Sequence, residues 1–266
     1  MMGCAPPAKK YATAAHNANF QDDTIQGTRF RHKIYRNNLA LRGGILHVFI
    51  EGDASVKQAL RSAPPDPTPR QLLMLGLMRQ HNAGAIVLGR PCYHGMFTAD
   101  KCEVRHLGPE RYSADSVSSM IAALQKEMNR AHAKQVIIFG YSGGGTLAML
   151  MAAQYPAVAA LVTLAGNLDN ATLTAYHNAP ALSGSLNPAD LPALPASVVQ
   201  VHFFGAKDEI TPAFLAQKTL ARQKASAIIL QRIDHECCWH EVWPDILAKL
   251  QTAMELTGPT AKGAVP

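Results

Sequence analysis

The sequence is short of several features, and each shortage excludes something. It has no run of about 18 consecutive apolar residues, the length a membrane-crossing helix needs, so no helical span is expected. It has no internal repeats and no second domain-like pattern, so one large domain around one sizeable core is expected. Cysteines number only five and none form a C-x-x-C pair, which argues against a zinc site built from His235, Cys237, Cys238 and His240. The formal net charge is +6, but the basic residues are dispersed and no nucleic-acid recognition motif accompanies them. The densest group, Arg29, Arg31 and Lys33, alternates with Phe30, His32 and Ile34, as on the solvent face of an edge strand.

What the chain does have is alternation. A mean hydropathy of −0.02 with 48% hydrophobic residues is that of a globular chain. Residues 1–27 are polar and Ala-rich without a clear period, and are expected to be a tether or poorly ordered arm ahead of a domain at 28–266. Strands are expected at about 29–35, 45–53, 85–89, 135–139, 159–165, 198–204 and 227–233. Between them lie helical patterns: one starting at Thr68 as N-cap with Pro69 behind it, others at 115–133, 146–154, 213–223 and 242–254. Strands alternating with helices over this length imply a mostly parallel central sheet with helices on both faces, an α/β fold. Residues 166–197 lapse into Asn, Asp, Pro, Ser and Gly, which reads as a lid or a surface excursion.

The stretch Gln135–Gln154 changes character at its middle, from a β-branched and aromatic run to an Ala/Leu/Met-rich one. Between them stands Gly140-Tyr-Ser-Gly-Gly144, a G-x-S-x-G match at a strand-to-helix junction. A turn this sharp crowds neighbouring backbones, and Gly140 and Gly144 remove the side chains that would collide. Ser142 would project from the tip, with the Gly143 amide facing the same space. Downstream, Asp208 follows one strand and His235 another, so the chain order is Ser, Asp, His. Glu209 and Asp169 are the rival acids, and His240 is the rival base. His235 is preferred because it stands in the loop just past a strand, whereas His240 lies beside the start of the last helix.

These residues resemble the α/β-hydrolase superfamily, over roughly residues 28–255. His47-Val-Phe-Ile-Glu-Gly-Asp53, Arg90-Pro-Cys92, Ser185-Leu-Asn-Pro188 and Asp234-His-Glu-Cys-Cys-Trp239 further resemble a poorly characterised group of bacterial envelope-associated hydrolases. The resemblance implies a serine hydrolase acting on an ester or related acyl bond, with Ser142, Asp208 and His235 catalytic and no metal or organic cofactor. It also implies a small-molecule or lipid-like acyl substrate. The second oxyanion amide would come from Asp53, with Ala54 as second choice. Here Glu51-Gly52 replaces the family's usual His-Gly, and an acidic Asp53 side chain near a developing oxyanion is unfavourable unless it points away or is neutralised. The competing reading is a non-catalytic envelope protein that uses the scaffold for binding.

The cysteines bear on location. Cys92 and Cys102 bracket a short loop and would close it in an oxidising compartment, whereas adjacent Cys237 and Cys238 are read as free thiols, with a vicinal bridge as the alternative. Met2-Gly-Cys-Ala-Pro-Pro7 resembles a bacterial lipoprotein junction without the apolar segment that should precede it. Two expectations stand open: a lipid anchor on Cys4 in the cell envelope or periplasm, or an ordinary exposed cysteine in a cytoplasmic protein.

Overall fold

The computed structural model describes residues 5–55, 58, 60, 61 and 65–257 of the chain, so Cys4 lies outside the described residues. Eight strands form one sheet: β1 (Gln21–Gln26), β2 (Arg31–Arg36), β3 (Ile45–Ile50), β4 (Ala85–Leu88), β5 (Gln135–Tyr141), β6 (Val158–Leu164), β7 (Val199–Gly205) and β8 (Ala227–Leu230). Their spatial order is β1-β2-β4-β3-β5-β6-β7-β8. The β1–β2 and β2–β4 pairings are antiparallel and every other pairing is parallel. The helices are α1 (Pro7–Asn17), α2 (Leu73–Arg79), α3 (Val104–Leu107), α4 (Ala114–Ala131), α5 (Gly143–Ala152), α6 (Asn170–Tyr176), α7 (Gln217–Gln223) and α8 (Trp243–Thr257).

The period-2 alternation of the central strands divides the core between two faces. Leu46, Val48 and Ile50 of β3 join Val136 and Ile138 of β5 on one face, under Val117, Met120 and Leu124 of α4 and the wholly buried α5. Phe49, Ile137 and Phe139 point the other way, onto α1, α2 and the Trp243–Ile246–Leu250 stripe of α8. Helices therefore cover both faces, as the parallel pairing requires.

Four local expectations are corrected. The N-terminal segment is not a loose arm: Pro7, Tyr11 and Ala15 recur every four residues on one face of α1 and are buried, and β1 follows directly. Only one member of that stripe is large, which is why the period is faint in the sequence. Arg31 and Lys33 do not lie on an edge strand, because β1 lies outside β2 and sets its acids against the basic side chains there: Asp22 pairs with Lys33, and Asp23 lies 3.2 Å from Arg36, while Arg31 pairs with Asp100. Arg36 also bonds the buried Glu127 of α4 in a two-pronged pair of 2.5 and 2.8 Å, which ties that helix to the sheet. Thr68 does not cap a helix. Its hydroxyl accepts from the His94 amide at 2.8 Å, and α2 starts only at Leu73. Finally β8 ends at Leu230, where the chain turns back so that the Lys207 amide bonds Ile233 O at 3.0 Å.

Candidate active site

β5 runs straight into α5, and Ser142 is the single residue between them. It holds φ 50° and ψ −119°, a left-handed backbone that costs an L-residue roughly 1–3 kcal/mol. Its surroundings over-determine it: the Ser142 amide bonds Leu164 O at 3.0 Å, and its carbonyl accepts from Gly145 and Asn167. The glycines are required by close approach. A Cβ on Gly140 would lie 2.7 Å from the Gly144 carbonyl carbon, and one on Gly143 would lie 2.5 Å from Asp53 Cγ.

Across the C-terminal edge of the sheet, His235 Nε2 lies 3.1 Å from Ser142 Oγ, and His235 Nδ1 lies 2.9 Å from Asp208 Oδ2. Asp208 is held in a tight turn after β7, accepting from the amides of Ile210 and Thr211 at 2.8 Å each, with Thr211 Oγ1 2.9 Å from its other oxygen. Burial alone would push its carboxyl up, but the His235 and Thr211 hydrogen bonds outweigh this and hold it below the usual carboxylate range. As acceptor, the carboxylate fixes the imidazole with Nδ1 protonated and Nε2 free to accept from the serine hydroxyl. The His235 backbone is pinned too, its carbonyl accepting from Tyr141 Oη and Trp239 Nε1 at 3.0 Å each.

The rivals fall elsewhere. Asp169 caps α6, accepting from the Ala171 and Thr172 amides, and Glu209 is exposed beside the buried Asp208. His240 packs on α2 with its Nδ1 3.2 Å from Gln80 Nε2.

The Gly52–Ala54 loop closes the other side of Ser142, so near that a Cβ on Gly52 would lie 3.1 Å from Ser142 Cβ. The Gly143 amide, first in α5, has no acceptor within its helix. The Asp53 side chain is neutralised. Arg90 Nη2 lies 2.6 Å from one oxygen; Tyr112 Oη donates to the other, with Arg111 Nη1 at 3.4 Å. Burial pushes its carboxyl up, and the two guanidiniums more than offset this, keeping it ionised and below its usual range. Nothing in the local sequence pointed to Arg111 or Tyr112, which lie nearly sixty residues away in the chain.

Glu51, also at this loop, is buried, and its Oε1 accepts from Tyr11 Oη at 2.9 Å and from the Leu75 amide in the first turn of α2 at 3.3 Å. Burial pushes its carboxyl up to about 7, against the opposing pull of these donors. The folded form therefore binds a proton that the unfolded form releases near its ordinary 4.5. The associated stability is complete below about pH 4.5 and is lost as pH rises through about 7, on the order of 3 kcal/mol in all. Urea unfolding of the wild type should show this decline across that window, and Glu51→Gln should flatten it; parallel pH profiles for the two proteins would refute the assignment.

Cys92 and Cys102 form the expected disulfide, with Cα atoms 5.9 Å apart. Cys237 and Cys238, expected as free thiols, are instead joined as a vicinal pair.

With a serine on a strand–helix turn and a histidine and aspartate in line behind it, the architecture is decided. The chain has the α/β-hydrolase fold. A family model described as alpha/beta hydrolase fold matches residues 93–195, which include the nucleophile turn and stop short of Asp208 and His235. No curated protein sequence matches the chain. Among solved structures, the chain is similar to an α/β serine hydrolase without a lid from Xanthomonas campestris, at 12% identity over 93% of this chain and 97% of that one, TM-score 0.59. It is also similar to an acylaminoacyl peptidase from Pyrococcus horikoshii, at 12% identity over 89% of this chain but only 41% of that longer one, TM-score 0.60. A bacterial membrane phospholipase A aligns at 14% identity over 93% of this chain and 92% of that one, TM-score 0.57. Among the described residues, no helix is long and apolar enough to cross a membrane.

Proposed function

We propose that this chain is a serine hydrolase that cleaves a carboxylic ester through an acyl-enzyme. One observation carries the reading: the unbroken line from Ser142 Oγ to His235 Nε2 at 3.1 Å and from His235 Nδ1 to Asp208 Oδ2 at 2.9 Å.

In the first half-reaction Ser142 Oγ bonds to the ester carbonyl carbon while its proton passes to His235 Nε2. The carbonyl oxygen becomes an oxyanion facing the amides of Gly143 and Asp53, and Asp208 stabilises the imidazolium. As the carbon–oxygen bond to the leaving alcohol breaks, His235 returns the proton to that oxygen. Water then attacks the acyl-enzyme with His235 again as base, giving the acid and free Ser142. Asp53 takes part through its amide, and its side chain is compatible with an adjacent oxyanion because Arg90 and Arg111 oppose its charge.

The cavity over Ser142 holds about 430 Å³, room for a small-molecule or short acyl substrate. Leu173 of α6 and Ile210 supply an apolar wall, so the 166–197 excursion would shape the pocket. The Cys92–Cys102 disulfide supports residence in an oxidising compartment such as the bacterial envelope or periplasm.

Fluorophosphonate labelling with mass-spectrometric site mapping tests the function. Wild type should carry the adduct on Ser142, and Ser142→Ala, folded as wild type by circular dichroism, should neither label nor turn over short nitrophenyl esters. A folded, unlabelled wild type would favour the scaffold as a non-catalytic binding protein.

A further inference from the structure

One guanidinium at the wall of the pocket is only weakly paired. Two guanidiniums, Arg90 and Arg111, share the single carboxylate of Asp53. Arg90, 2% exposed, takes the nearer position with Nη2 2.6 Å from Oδ1 and lies over the rings of Tyr93 and Tyr112. Tyr112 Oη occupies Oδ2, which leaves Arg111 a contact of only 3.4 Å through Nη1. Its Nε donates to Gly108 O at 3.0 Å, and its Nη2 has no protein partner among the described residues. Arg111 lines the same cavity as Ser142 and His235.

The other acids around that cavity bond elsewhere, and among the described residues none of them contacts Arg111. Glu51 accepts from Tyr11 and the Leu75 amide, Asp66 accepts from the amides of Ala8 and Thr68, and Glu236 is bonded by Gln71 at the exposed rim. The remaining base, Arg70, is exposed. Arg111 is thus the guanidinium of the pocket wall with donor capacity to spare, in a partly buried setting where a charge-assisted hydrogen bond is stronger than it would be in water.

We propose that Arg111 is a carboxylate-binding subsite, so that the preferred ester carries one carboxylate on its acyl half. The donor sets the class: one guanidinium matches one carboxylate, whereas a phosphomonoester brings about two charges near neutral pH. A guanidinium edge with a free Nη2 also fits the two oxygens of a carboxylate. Direction follows from the chemistry: the leaving alcohol must face His235, which protonates it, and Arg111 stands on the opposite, Asp53–Gly143 side of the nucleophile.

This rests on the serine-hydrolase reading and specifies its substrate. The test compares mono(4-nitrophenyl) succinate with uncharged 4-nitrophenyl butyrate in wild type, Arg111→Gln and Arg111→Lys. Wild type should favour the charged ester by about tenfold or more in kcat/KM, chiefly through KM. Arg111→Gln should erase that ratio, Arg111→Lys should keep part of it, and added salt should shrink it. A wild-type ratio of one or below, or a ratio unchanged in Arg111→Gln, would overturn the subsite while leaving the hydrolase intact. If neither ester turns over, the hydrolase reading fails, and the subsite is still read by calorimetry on Ser142→Ala protein. There monoethyl succinate should bind about tenfold tighter than ethyl butyrate, with the difference lost on adding Arg111→Gln; equal affinities would refute it.

Discussion

His235→Ala should lower ester turnover by roughly 10⁴- to 10⁶-fold, while His240→Ala should leave it within about a factor of ten. The two histidines are five residues apart in sequence, but their surroundings separate them. Only His235 lies between Ser142 and Asp208, with both ring nitrogens engaged at 3.1 and 2.9 Å. His240 packs its ring against Gly76 of α2, where a Cβ would lie 3.1 Å from its Nε2. Removing His235 deletes the base and the proton donor to the leaving alcohol, so only binding and the oxyanion amides remain. Removing His240 deletes a surface contact beside a helix. Steady-state kinetics and fluorophosphonate labelling of both variants, each shown to be folded by circular dichroism, decide the matter. A larger loss for His240→Ala would mean that the geometry at Ser142 is not the working one.

Gly144→Ala should cost about 3 kcal/mol of stability. A Cβ there would lie 2.7 Å from Glu51 O, and closer still to Ile50 O. Both are backbone atoms at the end of β3, the strand paired with β5 in the middle of the sheet, so no side chain can swing away. The collision would have to be relieved by moving α5 off the sheet or by displacing the oxyanion loop, so activity should fall along with stability. Urea unfolding reads the first effect, and a midpoint shift worth less than about 1 kcal/mol would show that α5 and β3 can separate cheaply.

Both results rest on features that were plain in the sequence. The strand-to-helix change around Gly140–Gly144 and the order Ser142, Asp208, His235 are local patterns that need no knowledge of distant contacts, and the parallel core follows from alternation alone. The acid reads as Asp208 from its place after a strand, with Glu209 and Asp169 as rivals, because the final choice among turn residues depends on which carboxylate faces the histidine. The cluster around Asp53 was beyond reach, since Arg90, Arg111 and Tyr112 converge from separate loops and no periodicity marks them. Thr68 misled because Thr-Pro is a good helix start in isolation, whereas here the Glu51 carboxylate meets the amides of a helix that begins later.

The burial of α1 makes the start of the chain part of the pocket's support. Ala8 N donates to Asp66 at 2.8 Å and Tyr11 Oη to Glu51 at 2.9 Å, and both acceptors border the cavity that contains Ser142. A fusion partner or affinity tag joined directly ahead of this helix, or a truncation that removes it, therefore acts one hydrogen bond from the pocket wall.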